Sequence, residues 1–210
     1  MRKLRLLLIA ALILTATTII SAQAPKITLI KAGKLIDSEN GKVLENQFIL
    51  IEDNLIKEVG PNIKAPEGAT FIDLSNATVM PGFLDMHVHL MGEPSPRFAD
   101  SMRRSFVDDA IVSHIYARRS LDAGFTGVRD LGSDGFVSLA LKNAINEGRM
   151  AGPRMSVATY YIGATGSPAD TNRYGPWWQS LMPAEMTGIA DGPDAIRQKV
   201  RYLVRNGADV

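Results

Sequence analysis

Between Ile27 and Ala77 the apolar residues fall in short alternating or continuous runs, KITLIKAGKLI, NQFILIEDNLIKEVG and GATFIDLS. Turn-forming stretches, Ser-Glu-Asn-Gly, Asp-Asn and Ala-Pro-Glu-Gly, separate them. Runs of this length bounded by such residues predict strands, with Asp53-Asn54 as a tight hairpin turn. No face of helical period runs through this region, so a small β layer comes first.

After Pro81-Gly82 the period changes. FLDMHVH (83–89) reads as a buried strand and leads into a loop with Pro94 and Pro96. A helix follows over 106–122, with apolar or small residues at 107, 110, 111, 115 and 121, and Gly124 stops it. FTGVRD (125–130) is the next strand. A second helix over 134–146 carries Val137, Leu141, Ala144 and Ile145 on one face and ends at Gly148, and MSVATYYI (155–162) is a third strand. The connection 163–190 holds both tryptophans and exceeds the roughly 12 to 15 residues beyond which loops in compact domains are usually functional or disordered. A last helix over 194–206 places Ile196, Val200, Leu203 and Val204 in register before Gly207, and Ala208-Asp209-Val210 begins a fourth strand.

This alternation predicts an α/β chain: part of a small β-sandwich over 25–80, then the first half of a (β/α)8 barrel over 81–210, truncated at the start of strand 4. A complete barrel takes about 250 residues. An open doubly wound sheet is the alternative, but its last strand would be a stub. A half barrel leaves strand edges unpaired, so association into a homo-oligomer is a further expectation.

Composition narrows the function. Residues 1–24, with Arg2, Lys3, Arg5, a long apolar run and Ala22-Gln23-Ala24, read as a signal peptide cut after Ala24, which implies an exported, periplasmic or secreted protein with no stable membrane span. A retained anchor helix is the rival, short for a bilayer span of about 20 residues. Cleavage leaves 20 Lys plus Arg against 22 Asp plus Glu, a balance that excludes the concentrated basic surface of a nucleic-acid binder. The chain has no cysteine, so thiolate ligands and nucleophiles are excluded. There is neither a phosphate loop with its Lys-Ser/Thr nor a G-x-S-x-G elbow.

The remaining chemistry lies in Asp-Met-His-Val-His. Side chains at i and i+2 of a strand share a side, so Asp85, His87 and His89 face one way. Barrel sites form where strands end and loops begin, and two neutral imidazoles there suit a divalent cation, zinc first, with cobalt, manganese or nickel compatible. Polar core packing or a surface strand is the plain alternative for an isolated HxH. Catalytic zinc has three protein ligands plus water, so at least one more ligand must come from elsewhere. Asp130, on the same rim, and Asp85 are candidates for supporting the ligands or the structure. Tyr161, Asp170, Tyr174 and Trp177 are candidates for contacting substrate, against solvated-loop or loop-packing roles. His114 reads as a helix-face or interface histidine.

VMPGFLDMHVHL (79–90), LDAGFTGVRDLG (121–132), AGPRMSVA (151–158) and VRYLVRNGADV (200–210) together resemble the amidohydrolase superfamily, in particular its imidazolonepropionase-like and metal-dependent Xaa-Pro dipeptidase branch. The resemblance implies a barrel flanked by a composite β-domain, one or two divalent metals, and His87 and His89 as ligands of the more buried ion. It also implies a metal-bridging lysine in the fourth strand, histidines in the fifth and sixth, and a catalytic aspartate in the eighth, all beyond Val210. The expected activity of the full-length protein is hydrolysis of C–N bonds, amide, peptide or cyclic amide, in a small-molecule or dipeptide substrate by metal-activated water. The alternatives are a deaminase or lactonase with the same centre, or a truncated, non-catalytic remnant or binding module. The third loop lacks the Gly-Gly-His-Gly-Asp-like run of some members, having GATGSPAD (163–170) instead.

Overall fold

The structure, a computed structural model, describes residues 24–93, 103–168, 170 and 188–210. They fall into two units that divide at Pro81/Gly82. Residues 1–23, within the stretch 1–24 read as a signal peptide, lie outside the described residues, as do Tyr174 and the tryptophans. Among the described residues no helix is long and apolar enough to cross a membrane.

The first unit contains strands β1 (Ile27–Asp37), β2 (Lys42–Glu52), β3 (Leu55–Gly60) and β4 (Thr70–Val79). They form one sheet in the order β3-β2-β1-β4, with β1 antiparallel to β2 and parallel to β4. The hairpin turn falls at Asp53, whose φ of 54° places it in the left-handed region that Asp tolerates better than most residues. A bulge between Ala32 and Lys34 brings Gly33 so close to β4 that a Cβ there would overlap the Ser75 carbonyl. Leu29, Ala32 and Ile49 are buried, while Leu55, Ile56 and Phe71 are exposed. Where the sequence leads one to expect part of a sandwich, the described residues of this unit make a single sheet.

The second unit alternates β5 (Phe83–Val88), α1 (Phe106–Asp122), β6 (Phe125–Asp130), α2 (Val137–Asn146), β7 (Arg154–Val157) and α3 (Gly192–Arg205). Its three strands are parallel and neighbours in chain order. A reciprocal capping box, Ser105 with Asp108, starts α1. Leu90, Ala117, Val128, Leu141, Met155 and Val157 make the core.

Three details depart from the sequence expectation. α1 turns Ser113 and Ala117 inward and leaves Val107, Ile111 and Ile115 exposed, because small side chains let the helix backbone approach the sheet. In α3 only Leu203 is buried, and Ile196, Val200 and Val204 are exposed. β7 stops at Val157 instead of reaching Ile162, since Thr159 has φ 69°, a conformation that ends pairing and that a β-branched residue adopts only under strain.

Two carboxylates hold this unit at its rim. Asp130, fully buried at the end of β6, accepts the Leu90 N–H at 2.8 Å and the Gly132 N–H at 3.1 Å. It thereby continues the β5/β6 ladder beyond the last backbone bond, Leu131 N–H to Val88 O at 3.2 Å. Burial pushes its carboxyl above the usual value, against the opposing pull of those two N–H groups and of His89. Asp209 donates its own N–H to the Val157 carbonyl at 2.8 Å and accepts the Val157 N–H at 2.9 Å and the Lys142 ammonium at 2.5 Å. Burial raises its carboxyl, but Lys142 and the Val157 N–H outweigh that and hold it below 3.8.

Asp130→Ala strands two N–H donors at the core edge and should destabilise the protein by about 2 to 3 kcal/mol, read from denaturant unfolding. The folded-state pKa of Asp209 is depressed, so its stabilisation is present above pH 3.8 and is lost as pH falls through the folded value. Asp209→Asn should therefore lower the melting temperature at pH 7, and the gap from the parent should narrow as the pH falls below about 3.8.

Candidate metal centre

His87 is the fifth residue of β5, and His89 follows immediately after its end. Their rings lie on one side, 5.3 Å between centroids and nearly perpendicular at 72°. Both residues are exposed, at the end of a strand whose opposite side carries Met86 and Val88. Asp85, half-buried, accepts the His87 N–H through Oδ1 at 3.0 Å, so it braces the strand backbone beneath the rings.

The His89 ring is held. Its Nδ1 lies 2.9 Å from the Gly132 carbonyl oxygen. A carbonyl only accepts, so this contact requires a proton on Nδ1 and leaves Nε2 of the neutral ring with its lone pair uncommitted. Metal-ligating histidines carry this arrangement, with the second nitrogen bonded to a carbonyl or carboxylate that fixes the tautomer. For His87 no ring hydrogen bond occurs among the described residues, so neither of its nitrogens is committed to a partner there. The pair thus fits a divalent cation as two nitrogen donors. Among the described residues no group of three His, Cys, Asp or Glu comes together to hold an ion.

Asp130 acts on this pair through the backbone: its two accepted bonds come from Leu90, next to His89, and from Gly132, whose carbonyl receives His89. Tyr161 packs on His89 with ring centroids 5.7 Å apart. Its hydroxyl is pushed up to about 12 by burial, with the charges of Asp134 and Asp130 adding. Asp170 accepts the Gly166 N–H at 2.7 Å and so closes a turn in its own loop. Tyr174 and Trp177 lie outside the described residues. His114 is exposed on α1, with Nδ1 2.8 Å from the Ile111 carbonyl of its own helix.

Sequence reasoning missed Gly132. Its signal was present: a glycine two residues beyond a strand-end aspartate on the histidine rim, in a stretch where a Cβ would overlap the Tyr161 ring. It also missed Ser133, Ser138 and Thr159, buried beside this rim. Ser133 Oγ lies 2.8 Å from Ser138 Oγ, and the Ser133 N–H donates to the Thr159 carbonyl at 2.5 Å.

No family model matches the chain. Among curated proteins, the dihydroorotase of Geobacter metallireducens is 47% identical over 62 residues, 30% of this chain and 14% of its own length. The ochratoxinase of Aspergillus niger is 28% identical over 214 aligned positions, covering 91% of this chain and 42% of its own length. Among solved structures, a Xaa-Pro dipeptidase with methionine bound in its active site superposes with a TM-score of 0.80 at 34% identity, over 88% of this chain and 46% of its own. The chain spans less than half the length of each of these relatives. By these similarities the chain, an α/β protein, is a homologue of amidohydrolase-superfamily proteins, dihydroorotase, ochratoxinase and Xaa-Pro dipeptidase among them.

Proposed function

We propose that the complete protein is an exported, metal-dependent hydrolase of C–N bonds, dipeptidase-like in its substrate class, with His87 and His89 as two ligands of its cation. The observation that carries this reading is the His89 ring: Nδ1 committed to the Gly132 carbonyl, Nε2 left for a ligand, and a second imidazole 5.3 Å away. The likeness to a Xaa-Pro dipeptidase and an ochratoxinase supports the bond class. On this reading β5, β6 and β7 are the first three strands of a (β/α)8 barrel, Ala208–Val210 leads into the fourth, and residues 25–80 belong to a small flanking β-domain. Residues 1–24 direct export.

Zinc is the cation best matched to two neutral imidazoles; when bound it supplies Lewis acidity, polarising a carbonyl and bringing the pKa of a water toward about 7. The chain's own residues do the holding. Asp85 fixes the strand under His87, and Asp130 fixes the backbone on both sides of His89. Tyr161 and the loop from Gly163, with Asp170, Tyr174 and Trp177, contribute to the substrate side of the cleft. The substrate is a small molecule or dipeptide and not a nucleic acid, given the absence of basic excess, and the active form is a homo-oligomer.

His87→Asn and His89→Asn in the full-length protein should each lower bound zinc, measured by elemental analysis, and reduce kcat/KM on a dipeptide panel by more than about 100-fold. Chelation should abolish the activity and zinc should restore it. Full hydrolysis by metal-free enzyme would overturn the reading.

A further inference from the structure

The second nitrogen of a metal-binding histidine is usually held by a carboxylate or carbonyl, and the placement of that acceptor tunes the ligand. Here the acceptor is a backbone carbonyl on a glycine, in a loop that would be free to move unless something fixed it. The Gly132 peptide is fixed on three sides. Its N–H is bonded to Asp130 Oδ1 at 3.1 Å, its carbonyl faces His89 Nδ1 at 2.9 Å, and its Cα lies against the Tyr161 ring so closely that a Cβ would overlap Cδ1, Cε1 and Cγ. The same Tyr161 ring touches His89, 5.7 Å between centroids at a tilt of 53°.

Tyr161 is itself anchored from behind. Gly188 packs against its backbone so tightly that a Cβ there would overlap the Tyr161 carbonyl. The Gly163 N–H donates to Gly188 O at 3.0 Å, and the Ala190 N–H to Gly163 O at 2.9 Å, in a parallel bridge between Gly163 and Ile189. Gly132 and Gly188 are therefore small for a common reason: each admits Tyr161 to a place where any side chain would expel it. No hydrogen bond to the Tyr161 hydroxyl occurs among the described residues, so the ring, not the hydroxyl, makes these contacts.

We propose that Tyr161 is a positioning residue for the cation site: seated on Gly132 and against His89, it fixes the carbonyl that takes the His89 Nδ1–H and so aims Nε2 at the ion. This rests on the metal reading above and adds to it a third residue that touches no ion. The chain of contact runs from the 188–190 segment through Tyr161 and Gly132 to His89.

The test uses the full-length protein and zinc alone, with affinity read by competition against a chelating dye and the His89 tautomer read by long-range 1H–15N correlation. The metal-free parent should show Nδ1–H. Tyr161→Phe should keep that tautomer and hold zinc within about twofold of the parent. Tyr161→Leu and Gly132→Ala should mix the tautomers and weaken zinc by about 10- to 100-fold, the range seen when such supporting groups are removed. An Nε2–H tautomer in the metal-free parent overturns the proposal without any variant needing to fold. Parent-like affinity and tautomer in both Tyr161→Leu and Gly132→Ala also overturn it, while a zinc loss in His89→Asn shows that the metal reading itself stands. Zinc binding unaltered by His89→Asn removes the metal reading and this proposal together.

Discussion

The buried carboxylate of Asp130 is the constraint on which the rest of this rim depends. Strand pairing between β5 and β6 runs out at Val88 and Leu131, just before His89. The chain continues the ladder with a side chain: one oxygen takes Leu90 and the other takes Gly132. A buried carboxylate is costly unless its lone pairs are met, and here the groups that meet them are the two backbone positions that set His89 and its acceptor. Stability of the sheet end and orientation of the imidazole are thus one interaction seen from two sides.

Much of the second unit was legible because strands and helices alternate with distinct periods and glycines mark the helix ends, as Gly124 and Gly148 do with φ of 94° and 70°. The side of α1 that meets the sheet was not. A pattern reading weights Val107, Ile111 and Ile115 by their hydrophobicity, whereas close approach to the sheet selects Ser113 and Ala117 by their size. The end of β7 was hidden for a different reason. Thr is a good strand residue, and nothing local announces that Thr159 turns left-handed.

At the histidines, spacing alone put two imidazoles on one side of a strand, and the rings do lie together. Spacing could not supply the tautomer, because the acceptor is a main-chain oxygen 43 residues further along. A backbone carbonyl has no letter in a sequence. Only the need for glycine at 132, imposed by the Tyr161 ring, leaves a trace of it.

The two rings differ in freedom, since His89 is gripped at Nδ1 while His87 has no such tether among the described residues. In the proposed cation site, one tooth is therefore already set in the jaw and the other keeps its play. Between these two side chains, more rotational entropy would be lost at His87 than at His89 on taking up a ligand.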